Sequence, residues 1–212
     1  MDESTDPTIW LIDENERELG LHKNILQNAF VEYKTAIRVE AVLARQSMGD
    51  YHDLLNDSRT VAIIVDQRLN EIRGIDHTGI ELTKRLRSLA PKLPIYILTN
   101  YAQSDDFLGN EWTVEDIIPK EDMHDPDTLK TIIARLLRRI DVHQSIMESR
   151  EARFRDLLKK SLTEALTADE QAELSNLQLD RTAVIISNET SKLQRLEQAL
   201  VSLKNLTGLL DE

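Results

Sequence analysis

Short apolar runs alternate with helical patterns over the first two thirds of the chain. The runs lie at residues 8–12, 36–42, 60–65, 94–98 and 114–118. Helical patterns lie near residues 19–30, 51–55, 80–89 and, more weakly, 104–108. The runs are short and mostly unbroken stretches of Ile, Val and Leu, as expected of buried strands, whereas residues 36–42 alternate between apolar and charged positions. Strands that alternate with helices are typical of a parallel sheet covered on both faces. The pattern therefore predicts an α/β fold with a five-stranded, doubly wound parallel sheet.

The pattern becomes purely helical after the fifth run. A helix is predicted to begin near Asp127, with Asp125 or Asp127 as its N-cap. Apolar residues keep a three-to-four spacing from Ile133 to Leu157, so this helix is predicted to continue as a stalk. The chain is accordingly divided into an α/β domain, 1–142, and an all-α extension, 143–212.

Two further helices are predicted within the extension. Thr167 and Glu170 have the spacing of a capping box, and a leucine-rich stripe at heptad spacing runs from Ile186 to Leu210. These apolar stripes have two possible partners. They can fold back as a hairpin within one chain, or they can pair between chains as a homodimer or with a docked protein. Partner binding or dimerisation is expected, because an isolated hairpin buries little surface.

Composition narrows the function classes. The chain has 212 residues, a net charge of −12 and no cysteine. Disulfides, a thiol nucleophile and thiolate zinc sites are therefore excluded. The negative charge is spread over both parts of the chain, which disfavours nucleic-acid binding. No apolar run is long enough to span a bilayer, and no signal-peptide pattern is present, so a cytoplasmic protein without membrane contact is expected.

Polar residues follow four of the predicted strands. Asp13 and Glu14 follow the first, Asp66 the third, Thr99 the fourth, and Lys120 comes two residues after the fifth. The carboxyl ends of parallel strands meet at one edge of a sheet, so these side chains are expected to form one pocket. The neighbouring carboxylates of Asp13, Glu14 and Asp66 would repel one another, and a divalent cation would relieve this repulsion. Because Mg²⁺ prefers oxygen ligands, these three residues are the candidate metal ligands. Asp66 is the candidate nucleophile toward a phosphoryl donor, and Lys120 and Thr99 are placed to stabilise the transferring group.

This order of residues resembles the receiver domain of two-component response regulators, over about residues 8–140. The resemblance implies that Asp66 is the phosphoacceptor and that Thr99 is the switch hydroxyl. It also implies that Lys120 corresponds to the invariant lysine of the family's pocket. It also implies phosphotransfer from a histidine kinase or phosphotransfer protein, with Mg²⁺ as the cofactor. Several features depart from the family pattern. The loop after Asp66 is longer than usual, with Gly79 thirteen positions on, and Pro119 precedes Lys120 where many members have a proline after the lysine. Glu14 stands where Asp is usual, and Ile117 stands where an aromatic residue often reports phosphorylation.

Other charged residues have simpler interpretations. The five histidines show no ligand spacing and are expected at the surface or on the stalk. Arg135, Arg138 and Arg139 form a short basic face that is expected to be solvated or ion-paired.

Three functions remain open, in this order. The first is a response regulator that signals through protein contacts of its C-terminal helices. The second is a phosphorylation-independent, receiver-like adaptor subunit of a larger complex. The third is a DNA-binding transcription regulator, which the acidic C-terminal helices disfavour. No phosphate-binding glycine loop and no Ser-His-Asp arrangement is evident, so no enzyme acting on a separate substrate is expected.

Overall fold

A computed structural model describes residues 5–179 of the chain. Its five strands are β1 (Thr8–Asp13), β2 (Arg38–Leu43), β3 (Thr60–Val65), β4 (Ile95–Thr99) and β5 (Asp116–Pro119). They form one sheet in the order β2-β1-β3-β4-β5, and every pair is parallel. This is the flavodoxin-like strand order of doubly wound folds. The predicted fold class is confirmed.

The helices of the described region are α1 (Glu16–Glu32), α2 (His52–Asn56), α3 (Gly79–Leu89), α4 (Pro126–Thr163) and α5, residues 168–179. Local side chains define where they begin. Asn15 caps α1 by accepting from the backbone of Arg17 and Glu18. Asp125, one of the two predicted caps, accepts from the Thr128 backbone and starts α4.

The sheet separates two apolar cores. On one face, Phe30 of α1 packs with Ile133 and Leu136 of α4 against the sheet. On the other face, the core contains Leu54 of α2 and Leu82 of α3 together with the 3₁₀ and loop residues around them. Because β3 lies at the centre of the sheet, its side chains are buried on both faces, which explains its unbroken apolar sequence.

The connection from β4 to β5 differs from the prediction. The α-helix predicted over residues 104–108 is absent. The connection contains two short 3₁₀ turns instead, at Asp105–Phe107 and Glu111–Thr113. Gly109 has a φ of +73°, and the Asn110 side chain donates to the carbonyl oxygens of Asp106 and Leu108. These contacts turn the backbone before an α-helical hydrogen-bond ladder can extend.

The long helix α4 is continuous across residue 142, so the proposed boundary between residues 1–142 and 143–212 stays a prediction. Beyond the sheet, α4 and α5 form a hairpin. The Thr167 hydroxyl and the Glu170 carboxylate cap α5 reciprocally, which confirms the predicted capping box. Lys160 contacts Glu170 at 2.7 Å, and Leu157 and Leu174 are buried. The predicted leucine-rich stripe from Ile186 to Leu210 lies outside the described residues.

The predicted surface positions of the histidines are partly wrong. His22, His52 and His77 are buried in the α/β region. The prediction failed because a polar ring on a helix or loop gives no sequence signal that tertiary packing will cover it.

The predicted ion pairing of the basic face holds for two of its members, since Arg135 contacts Asp116 and Arg139 contacts Glu115, each at 2.7 Å. No helix within residues 5–179 combines the length and the apolar character needed to cross a membrane.

Candidate functional site

The candidate site lies at the carboxyl edge of the sheet, where the strand register brings distant residues together. Ile12 of β1 pairs with Val65 of β3, so Asp13 and Asp66 follow paired positions on neighbouring strands. The Asp66 amide also donates to the Ile12 carbonyl at 2.8 Å. Thr99 pairs with Pro119, and Lys120 follows directly. The predicted convergence thus rests on parallel pairing of the strands.

Lys120 joins the two aspartates. Its Nζ lies 2.8 Å from Asp13 Oδ2 and 3.0 Å from Asp66 Oδ1. The side chain is only 7% exposed, so both contacts are made away from bulk water. Burial disfavours the ammonium, but the hydrogen bond to Asp13 and the charge of Asp66 outweigh it and raise the pKa of Lys120. Lys120 therefore carries a positive charge at neutral pH.

Asp66 is held in one orientation through both of its oxygens. Oδ1 faces Lys120, and Oδ2 accepts from the backbone amide of Arg68. Burial raises the pKa of Asp66, and the Lys120 ammonium opposes this rise. The residue is 4% exposed, which is low for a free carboxylate on a strand end.

The backbone behind Asp66 touches the start of α3. A Cβ built on Gly79 would lie 2.1 Å from the Asp66 carbonyl oxygen and 2.9 Å from its carbonyl carbon. The Gly79 amide donates to the Gln67 carbonyl at 2.9 Å. Only glycine permits this approach, so α3 supports the backbone that presents the Asp66 carboxylate.

Glu14 adds a third carboxylate beside Asp13 and Asp66. Burial, followed by the charges of Asp66 and Asp13, raises the pKa of Glu14 to about 7. Its Oε2 atom is buried and has no hydrogen-bond partner among the residues described. Such an orphaned oxygen beside two further carboxylates fits the oxygen donors that Mg²⁺ prefers. Within residues 5–179, however, no three carboxylate or imidazole side chains already converge as ligands of one ion.

Thr99 lies at the other side of the site. Its side chain is fully buried, and its Oγ1 accepts from the Tyr101 amide at 3.1 Å. A hydroxyl that accepts one hydrogen bond still has its own proton to donate. Thr99 and Lys120 line the same cavity of about 480 Å³, together with Tyr101 and Pro119. The hydroxyl is thus placed beside Lys120, although it is not bonded to Asp66.

Sequence reasoning missed a fourth acidic residue. Glu18, in the first turn of α1, places its Oε2 atom 3.5 Å from Lys120 Nζ. Its other neighbour is His22, at 4.0 Å and one turn further along the helix. The sequence did offer a signal for this residue. Glu18 lies about one helical turn after Glu14, in the first turn of the helix that follows β1, so it lies at the same edge of the sheet as Asp13 and Glu14.

The site therefore carries an excess of negative charge. Lys120 supplies one positive charge, whereas Asp13, Asp66, Glu14 and Glu18 are all acidic. A buried ammonium shared between carboxylates offsets only part of their mutual repulsion. The arrangement offers carboxylate oxygens of the kind that bind a hard cation next to Asp66, and an ammonium that attracts an anionic group.

No family model matches the chain, and no curated protein matches it. Several solved structures are similar. The non-phosphorylated HemR receiver domain from Leptospira biflexa is 26% identical, covers 64% of this chain and 94% of its own, and gives a TM-score of 0.44. A response regulator from Thermotoga maritima is 20% identical, with coverage of 64% and 98% and a TM-score of 0.46.

A third similar structure is an adenylate cyclase from Rhodopirellula baltica, at 18% identity, with coverage of 69% and 98% and a TM-score of 0.47. The fold of this chain is defined by its own strand order and parallel pairing, without reference to these structures. The chain has a five-stranded parallel sheet followed by a long helix. The solved structures similar to it include a response regulator receiver domain and a response regulator.

Proposed function

We propose that this chain is a cytoplasmic response regulator that accepts a phosphoryl group on Asp66. The observation that supports the proposal best is the Lys120 ammonium, which lies buried between the carboxylates of Asp13 and Asp66. A lysine in this position neutralises part of the charge that arrives with a phosphoryl group. The donor would be a histidine kinase or a phosphotransfer protein.

The proposed step is a phosphoryl transfer. An Asp66 carboxylate oxygen uses an electron pair to form the new O–P bond, while the P–N bond to the donor imidazole breaks. The electron pair of that bond leaves on the imidazole nitrogen, which takes up a proton. Lys120 faces the added phosphoryl charge, and the Thr99 hydroxyl donates to one of its oxygens. Asp13, Glu14 and Asp66 would hold Mg²⁺, which when bound supplies positive charge beside the phosphoryl oxygens.

The electrostatics of the site support a metal requirement. Without a metal ion, the phosphoryl group would add negative charge beside Asp13 and Glu14, where Lys120 is already shared between Asp13 and Asp66. Burial and the charges of Asp66 and Asp13 raise the pKa of Glu14 although Lys120 opposes this, and Glu14 Oε2 has no hydrogen-bond partner among the described residues. Mg²⁺ binding would supply further positive charge beside these carboxylates.

The test is incubation with acetyl phosphate, with and without Mg²⁺, followed by intact mass measurement. We expect the wild-type chain to gain one phosphoryl group only with Mg²⁺, and Asp66→Asn to gain none. Asp76→Asn is the matched control, because Asp76 is an exposed carboxylate in the loop that follows. Equal modification of wild type and Asp66→Asn would contradict the proposal.

The proposed output is protein binding by the C-terminal helices, with a homodimer as the first form to test. Leu157 and Leu174 are buried where α4 and α5 meet, while Met147, Leu162 and Leu179 remain exposed. Exposed apolar side chains on a long helix favour association with a second surface. Light scattering of the phosphorylated and unphosphorylated chain measures the association. A change in mass that depends on Asp66 supports a switch, whereas assembly insensitive to Asp66→Asn would favour the adaptor function.

A further inference from the structure

Arg68, two residues after Asp66, joins the loop after β3 to the loop after β4. The Arg68 guanidinium lies 4.5 Å from the centre of the Tyr101 ring, and its Nη2 atom lies 3.8 Å from Asp106 Oδ2. Gln67 makes a parallel contact, since its Nε2 donates to Asp106 at 3.4 Å. The loop after β3 is thereby joined to the loop after β4, next to the candidate phosphoacceptor.

Both ends of this contact are tied to the site itself. The Arg68 backbone amide donates to Asp66 Oδ2, and the Tyr101 backbone amide donates to the Thr99 hydroxyl. A change at either Asp66 or Thr99 therefore acts on a residue whose side chain takes part in the contact. Tyr101 also lines the cavity that contains Lys120.

The Arg68 side chain is weakly held where it lies. The Arg68 Nε–H is buried and finds no acceptor within residues 5–179. The pair with Asp106 is long and largely exposed, and the stacking partner Tyr101 is 47% exposed. Such exposed contacts contribute little, whereas a guanidinium that pairs with a phosphoryl group forms charge-assisted hydrogen bonds.

We propose that Arg68 is a phosphoryl-binding residue that leaves Tyr101 and Asp106 when Asp66 is phosphorylated. The inference rests on the proposed function and concerns how the same site changes a surface. The guanidinium then bonds to the phosphoryl oxygens, and the loop of residues 100–108 loses its tie to the loop after β3. Tyr101 and the exposed Leu108 lie on that loop. Ile117 has no aromatic ring that could reorient on phosphorylation. The movement of Arg68 would instead couple phosphorylation of Asp66 to the surface of residues 100–108.

The test uses the full chain and beryllofluoride with Mg²⁺, an analogue of the phosphoryl group. Two quantities are measured for each variant: the dissociation constant of beryllofluoride, by fluorine NMR, and hydrogen exchange of the peptide that covers residues 100–108. The variants are Arg68→Met, Tyr101→Leu and Tyr101→Phe. Arg73→Met is the control, because Arg73 is an exposed cation of the same loop.

In the wild type, beryllofluoride is expected to speed exchange in residues 100–108. In Arg68→Met, binding is expected to weaken about tenfold or more, since a charge-assisted contact is lost. Its loop is expected to exchange rapidly with or without the analogue. Tyr101→Leu should also exchange rapidly before binding but should bind at least as tightly as the wild type. Tyr101→Phe keeps the ring and should behave as the wild type does, as should Arg73→Met.

The outcomes separate this inference from the proposed function. If beryllofluoride binds the wild type and Arg68→Met equally well, or if the exchange of residues 100–108 responds equally in both, the role of Arg68 is refuted while the role of Asp66 stands. If no protein binds beryllofluoride in an Asp66-dependent way, the proposed function fails first.

Discussion

Replacing Gly79 by Ala tests the packing that presents Asp66. The added Cβ would stand 2.1 Å from the Asp66 carbonyl oxygen and 2.9 Å from Gln67 Cα. All the atoms that it meets are backbone atoms, so no side chain can rotate to relieve the overlap. Either α3 must move outward or β3 must shift at its carboxyl end.

The size of the effect follows from the overlap. Overpacking a core typically costs about 1–3 kcal/mol, and backbone atoms that cannot yield place this case at the upper end, about 3 kcal/mol or more. A matched variant is available in Gly20→Ala, because Gly20 also lies in a helix and its Cβ would meet nothing within 4 Å. That change should stabilise the protein by about 0.5–1 kcal/mol, since alanine orders in a helix at lower entropic cost.

Urea unfolding, followed by circular dichroism, measures both variants against the wild type. The two midpoints should move in opposite directions, with unchanged slopes. Gly79→Ala should also slow phosphoryl transfer to Asp66, because its carboxylate would be displaced. A Gly79→Ala protein within 1 kcal/mol of the wild type would refute the close approach of α3 to the Asp66 backbone.

Other predictions follow from single contacts. Lys120→Met should destabilise the fold by about 3–5 kcal/mol in urea, because it leaves buried carboxylates without their counter-charge; a near-neutral change would contradict the buried pairing. The pKa of Glu14 is raised from 4.5 to about 7 on folding, so the metal-free protein binds this proton more tightly than the unfolded chain does. Its stability should therefore decrease as the pH rises from 4.5 to 7, and Glu14→Gln, measured in chelator, should flatten that dependence. In the hairpin, Leu157→Ala should cost about 2–5 kcal/mol, whereas Arg153→Ala, which loses an exposed ion pair, should change the stability far less; equal losses would argue against a Leu157 core.

The parts of the fold that were predictable depend on local pattern. Residues 60–65 form β3 as predicted, because a central strand is apolar on both faces. Convergence of Asp13, Asp66 and Lys120 was also predictable, since parallel strands end at one edge and the polar residues immediately follow them. The capping box at Thr167 and Glu170 depends on spacing within one turn, which the sequence states directly.

The parts that were missed depend on contacts between distant segments. The sequence gives no signal that Arg68 stacks on Tyr101, because the two residues belong to different loops. Likewise, Glu18 reaches Lys120 only once the sheet brings the start of α1, after β1, and the end of β5 to the same edge. The 3₁₀ turn at residues 105–107 replaced a predicted helix because the turn chemistry of Gly109 and Asn110 overrides weak helix propensity.

The most direct test of the central claim locates the phosphoryl group within the chain. The wild-type protein is treated with acetyl phosphate and Mg²⁺, the acyl phosphate is reduced with borohydride to mark the modified residue, and peptides are analysed by mass spectrometry. The account predicts that the mark falls on Asp66, requires Mg²⁺, and is absent from Asp66→Asn. Absence of any mark from the folded wild-type protein, or a mark on another residue that persists in Asp66→Asn, would contradict the assignment of Asp66 as the phosphoacceptor.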